Sequence, residues 1–218
     1  VSPWWKAPSP ALIEPGRARL GGAAREAGEG WRGALEALEA LVAEKRPGRL
    51  RLVISNHFVR FLVVPEDRTV ASAAERAAYL AHHFGAVYGE RAARWAIAAE
   101  PRGGGSLLAA AVDSELLAQA RALAARHGAV LSRAEPLAVA AFNRARRRSG
   151  EGARFFAVLE PGRACVLLAD ETGVRRVANQ RCADPRAELA ALVALESAGA
   201  GFGAGTHPRL EIAEPLAA

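Results

Sequence analysis

Methionine is absent from this chain, lysine occurs only at Lys6 and Lys45, and cysteine only at Cys165 and Cys182. The two cysteines lack the paired spacing of a zinc site, and each falls in a β-rich run. Buried, unpaired thiols in a reducing compartment are expected, with no disulfide and no metal centre. No apolar run reaches the roughly 20 residues that cross a bilayer, and no basic segment leads into a long apolar one near the N-terminus. The expectation is a soluble chain with no direct membrane insertion, whose opening Val1 reads as a processed or trimmed start. With lysine so scarce, nearly all of the 29 basic residues are arginine. Abundant alanine and missing methionine tie that bias to GC-rich coding more than to a chemical demand.

What is present suffices for a core. With 218 residues, 51% of them apolar, the chain can form one large domain or two small lobes. A net charge of +6 raises the question of nucleic acid. The arginines are scattered, however, and the one dense block, "NRARRRSGEG" at 143–152, lies where a helical pattern gives way to Gly/Ser composition. Arginine there suits a helix C-terminus and the rest suits a hinge, so no nucleic-acid partner is expected.

The stretch "LIEPGRARL" at 12–20 returns as "VLEPGRACV" at 158–166. Proline at the second position and glycine at the third make each "EPGR" a β-turn between two strands. Between the copies the pattern alternates. Trp31, Leu35, Leu38 and Val42 recur at helical spacing over 31–45, stopped by "RPG". "RLRLVISNHFVRFLVVP" reads as a strand pair or one kinked strand around Ser55, Asn56 and His57. A helix over 71–88 precedes two strands, "RWAIAAE" and "SLLAAAV", flanking the turn "PRGGG". Asp113 or Ser114 caps a helix ended by Gly128, "AVLS" is a strand, and Pro136 takes the first turn of the next helix. After the hinge, "RFFAVLE", "RACVLLAD" and "GVRRVANQR" form a meander. Asp184 and Pro185 open a helix, and "RLEIAE" ends the pattern as a strand.

A hairpin opening each of two α/β lobes is the layout of an actin-like fold built from two ribonuclease-H-like lobes. The lobes expected are 1–148 and an abbreviated second one, 149–218. The order of a strand ending at Pro65, a helix ending "FGAVYG", and "AAAVDSELLAQARALAARHGAVLSRAEPLAVAAFNRARR" resembles the actin-like assembly proteins of type IV pili and type II secretion systems, the PilM and GspL kind. The resemblance covers most of 50–200. It is carried by Pro65, the strand Ala110–Val112, Gly128 and the pair Glu135-Pro136, with no catalytic signature among them.

Actin-like ATPases hold phosphates on two hairpin loops of the type Asp-x-Gly followed by small residues and Thr or Ser. The matching positions are Glu14 with Gly16 and Glu160 with Gly162. Glutamate replaces aspartate, proline removes an amide donor, Arg17 or Arg163 crowds the place of a small residue, and Val166 stands where a hydroxyl would help. These are degenerate nucleotide loops, so no cofactor and no enzymatic activity are expected. The resemblance implies a cytoplasmic scaffold, peripheral to the inner membrane through the cytoplasmic segment of an inner-membrane assembly protein, with self-association open. The Asn56-His57 bend with Arg60 is the candidate partner-binding surface. The alternatives are an ATP-binding actin-like protein and a metal-dependent ribonuclease-H-like nuclease, for which Glu14 and Asp113 lack a third acid. "GAGFGAGTH" at 199–207 lacks the ending of a P-loop, His82 and His83 lack a third ligand at metal spacing, and Trp4-Trp5 suit docking within the first lobe or onto a partner.

Overall fold

A computed structural model describes residues 8–28, 30–67, 69–99, 105–146, 152–201 and 208–213. The Trp4-Trp5 segment, the "PRGGG" turn before Gly105, most of the arginine block and most of "GAGFGAGTH" lie outside these residues.

The first EPGR copy closes a two-residue hairpin between β1 (Ser9–Glu14) and β2 (Arg17–Leu20), with Glu14 opposite Arg17. Gly16 has φ +76°, as the third position of a type II turn requires. β3 (Ala23–Glu26) then pairs antiparallel with β2. It lies in the Gly-rich stretch 21–30, where the sequence marks no element because a short polar edge strand has almost no apolar signal.

α1 (Trp31–Lys45) carries buried Ala34, Leu35, Ala37, Leu38, Leu41 and Val42. It ends at Arg46, the single described non-glycine residue with positive φ, just before Pro47. β4 (Arg49–Ile54) pairs parallel with β1. Beyond it, Asn56–Phe58 form a turn of 3-10 helix that leads into β5 (Val59–Pro65). β4 and β5 belong to different sheets, so the expected strand pair is two strands parted by that turn.

α2 (Ala73–Tyr88) is followed by β6 (Trp95–Ala99) and β7 (Ser106–Asp113). β5, β7 and β6 form a three-stranded sheet, and Leu80 and Phe84 of α2 pack with Val64, Leu107, Ala109 and Ala111. Asp113 caps α3 (Ser114–Arg126) by accepting from the Glu115 N–H. β8 (Val130–Pro136) completes a sheet of order β3-β2-β1-β4-β8. The strand runs through Pro136, opposite Ile54, so Pro136 precedes the helix α4 (Leu137–Arg146) instead of lying inside it. An edge strand tolerates a proline that a central strand would not.

The second EPGR copy joins β9 (Arg154–Glu160) to β10 (Arg163–Asp170), again with glutamate opposite arginine and Gly162 at φ +73°. β11 (Gly173–Arg181) is antiparallel to β10, α5 (Pro185–Gly199) follows, and β12 (Arg209–Ala213) is parallel to β9. The sheet order is β11-β10-β9-β12, which repeats the first four positions of the earlier sheet with the same strand directions. Phe155, Ala157, Val166 and Leu168 pack with Leu189 and Leu192 of α5.

Two compact units divide the chain. Among the described residues, one comprises 8–59 and 112–140, and the other 60–111 and 141–213. The boundary expected near 148 falls within the second unit.

Candidate functional site

The first hairpin turn exposes Pro15 and Arg17, whereas the Glu14 side chain is mostly covered. Glu14 pairs with Arg19 at 3.2 Å, and Arg17 reaches Glu26 on β3 at 2.9 Å with both side chains largely exposed. The exposed Arg17–Glu26 pair is worth at most about 1 kcal/mol. Arg19 neutralises Glu14, the carboxylate that an ATPase loop would turn towards a metal ion.

The second loop has the same letters and a different environment. Glu160 and Arg163 are 3% and 6% exposed, and the Arg163 guanidinium donates to the carbonyl oxygen and the side-chain oxygen of Asn179 at 3.3 and 3.1 Å. Burial, with Arg60 and Arg181 nearby, pulls Arg163 below the ordinary arginine value, and Glu160 opposes the shift. Arginine remains charged after any modest lowering. Val166 is also buried, and it presents no donor.

A groove of about 330 Å³ opens beside this loop, lined by Glu160, Pro161, Asp184, Arg186, Ile212 and Ala213 among others. It lies at the N-terminus of α5. The first-turn amides of Arg186 and Ala187 already donate to the Asp184 carboxylate at 3.0 Å, so they are engaged by the cap.

The proposed partner surface separates into parts. Asn56 is fully buried, and its side-chain oxygen accepts from the Ala138 N–H at 3.0 Å. This corrects its assignment as a contact residue, because a buried side chain that holds the start of α4 cannot also face a partner. Ser55 is likewise buried, accepts from the His57 N–H at 3.2 Å and donates its own N–H to Ile13. His57 is half-buried in the first unit, and Arg60 is exposed where the second unit begins. What the sequence concealed is that "SN" joins the backbone: two small polar residues between apolar strands read equally well as surface.

No cluster of metal-ligating side chains occurs among the described residues. Asp113 is occupied as a helix cap, and Glu14 faces arginine. Neither stands ready as a nuclease carboxylate. Cys165 is buried in β10, where burial pushes its thiol well above the ordinary value, and Cys182 is a second free thiol. Among the described residues no helix is long and apolar enough to cross a membrane.

No family model and no curated protein matches the chain. Solved structures do. The cytoplasmic domain of EpsL, an inner membrane component of the type II secretion system of Vibrio cholerae, matches with a TM-score of 0.59 and 13% identity over 96% of this chain and 82% of that one. A Bacteroides thetaiotaomicron protein with an actin-like ATPase fold and unknown function matches with a TM-score of 0.61 and 9% identity over the same shares. A chain of the PilM–PilN type IV pilus biogenesis complex matches with a TM-score of 0.54 and 15% identity over 85% of this chain and 61% of that one. The fold is actin-like α/β, and these neighbours include both machines that the sequence resemblance pointed to.

Proposed function

We propose that this chain is a non-catalytic actin-like scaffold of a type IV pilus or type II secretion-like assembly machine. In this reading it resides in the cytoplasm and is held at the inner membrane through the cytoplasmic segment of a partner. The observation that carries the reading is the fate of the second hairpin loop. Glu160 and Arg163 are turned into the protein and Arg163 is bound to Asn179, where a nucleotide site would need open amides, a free carboxylate and a small residue. Two of the similar structures, an inner membrane component of a secretion system and a pilus biogenesis complex, support the choice of machine.

With Asn56 withdrawn, the contact surface centres on Arg60. Its charge acts on Arg163 and on Tyr88, and Arg181 adds to the field at Arg163 while Glu160 opposes it, so arginines outnumber carboxylates in this part of the second unit. A short acidic tail is the partner chemistry that such a surface steers. The test is retention of detergent-solubilised inner-membrane proteins, encoded beside this chain, on immobilised wild type and Arg60→Glu. The expected result is one retained assembly protein and a loss of about tenfold with the variant, a typical cost of reversing a charge at a polar contact. Retention of no membrane protein would overturn the scaffold reading. Equal retention by the variant would overturn the Arg60 surface alone.

A further inference from the structure

The two EPGR turns put the lobes in register, so the charges of one turn can be compared with those of the other residue by residue. In the first lobe both charges of the turn are answered. Glu14 pairs with Arg19, and Arg17 stands directly opposite Glu26 of β3, whose Oε1 accepts from the Arg17 Nε at 3.2 Å and from its Nη2 at 2.9 Å. In the second lobe Arg163 holds the place of Arg17, and the residue directly opposite it on β11 is Arg181. A guanidinium therefore stands where the first lobe has a carboxylate.

Like charges directly opposite each other on neighbouring strands destabilise a sheet. Burial raises the cost, because a covered cation needs an acceptor for each polar hydrogen that it brings. Arg163 is almost wholly buried. Its Nη1 donates to Asn179, but its Nε is covered and has no hydrogen-bond partner among the described residues. The same nitrogen of Arg17 donates to Glu26 in the first lobe.

The Arg181 side chain is exposed and makes no ion pair or hydrogen bond among the described residues. The carboxylates that follow it in the chain are committed to the start of α5. Asp184 accepts from the Arg186 and Ala187 N–H groups, and Glu188 accepts from the Asp184 N–H. Arg60 adds a third positive charge close enough to act on Arg163, and Glu160 is the carboxylate that opposes the three. All of these residues belong to the second unit.

We infer that Arg163 and Arg181, with Arg60 near them, form a carboxylate-binding site, and that an aspartate or glutamate of the partner's acidic tail takes the place against Arg163 that Glu26 takes against Arg17. One carboxylate between the two guanidiniums gives the Arg163 Nε its acceptor and removes the repulsion across the strands. Its hydrogen bonds are charge-assisted, the stronger kind. The exposed Arg181 and Arg60 steer the tail towards it. A carboxylate is favoured over a phosphate on two grounds. The chain holds its own precedent, the Glu26 oxygen shared by two nitrogens of Arg17, and the charge of Glu160 repels a dianion more than a monoanion. The site stands on the comparison of the lobes, whereas the origin of the carboxylate in an assembly partner rests on the scaffold reading above.

The test is a titration of the full chain with a fluorescein-labelled hexaglutamate peptide, followed by fluorescence anisotropy, for wild type, Arg181→Glu and Arg175→Glu. Arg175 is exposed on the same strand and pairs with Asp170 at 3.9 Å, so its variant reports on net charge alone. The wild type is expected to bind saturably and Arg175→Glu to bind equally well. Arg181→Glu should bind about tenfold more weakly, the worth of one charge-assisted hydrogen bond. The same variant should raise the denaturant midpoint, since it rebuilds in the second lobe the ion pair of the first. No saturable binding, equal loss with both variants, displacement of the peptide by inorganic phosphate where acetate of equal ionic strength has no effect, or a midpoint that falls or stays would each overturn the site. Peptide binding as expected, with no membrane protein retained by the wild type, would leave the site standing and overturn the scaffold reading.

Discussion

The Ala138 N–H lies in a fully buried residue next to the start of α4, out of reach of water, and the Asn56 side chain accepts its hydrogen bond. Replacing Asn56 by alanine strands that donor. The expected cost is about 1–3 kcal/mol, the usual range for an unsatisfied buried group, read as a lower denaturant midpoint with an unchanged slope. The cysteines make a second prediction at this scale. Cys165 is enclosed, with its thiol held protonated by burial, whereas Cys182 lies just past the end of β11 and is only partly covered. A maleimide should label one thiol per native chain and two in denaturant, because the thiolate is the reacting form and needs access. Residues whose role is set by their own backbone conformation, such as Gly16, Gly162 and Asp113, were legible in the sequence. Asn56 was not, since its role is fixed by a residue 82 positions away.

Elements were legible where their ends are chemically marked. α1 runs over 31–45 as its periodicity implies, and α5 begins at Pro185 behind the Asp184 cap. α2 starts behind Ser72, whose hydroxyl accepts from the Glu75 N–H while the Glu75 carboxylate accepts from the Ser72 N–H, a reciprocal cap. Ser72→Ala should cost about 1 kcal/mol, visible as a lower melting temperature by circular dichroism. Elements defined by pairing alone were harder to read. β3 has no fully buried residue, and the strand β8 extends past "AVLS" to Pro136 because β4 supplies a parallel partner along its whole length. The same dependence hides the separation of β4 from β5, for two apolar runs in succession look alike whether they share a sheet or not.

At the scale of the whole molecule, the twofold design was readable because it is written in turns and strand order, and both halves keep the directions β1-β2 antiparallel, β1-β4 parallel. The sequence could not show how differently the two halves treat the same loop. That difference bears on nucleotide binding: with the first loop's Glu14 paired to Arg19 and the second loop's Arg163 bound to Asn179, titration with ATP and magnesium should give no saturable heat. Micromolar binding would instead assign the cationic surroundings of Arg60, Arg163 and Arg181 to phosphate.

The twin turns also make the molecule a host–guest system in which one peptide is its own reference. Arg17 and Arg163 follow the same three letters, close the same two-residue turn against the same glutamate, and differ in what surrounds them: an exposed pair with Glu26 for one, Asn179 and packed side chains for the other. The same replacement made at each site holds local sequence and turn constant, so the difference between the two measured stabilities reports what a buried amide partner and packing add to an arginine beyond an exposed ion pair.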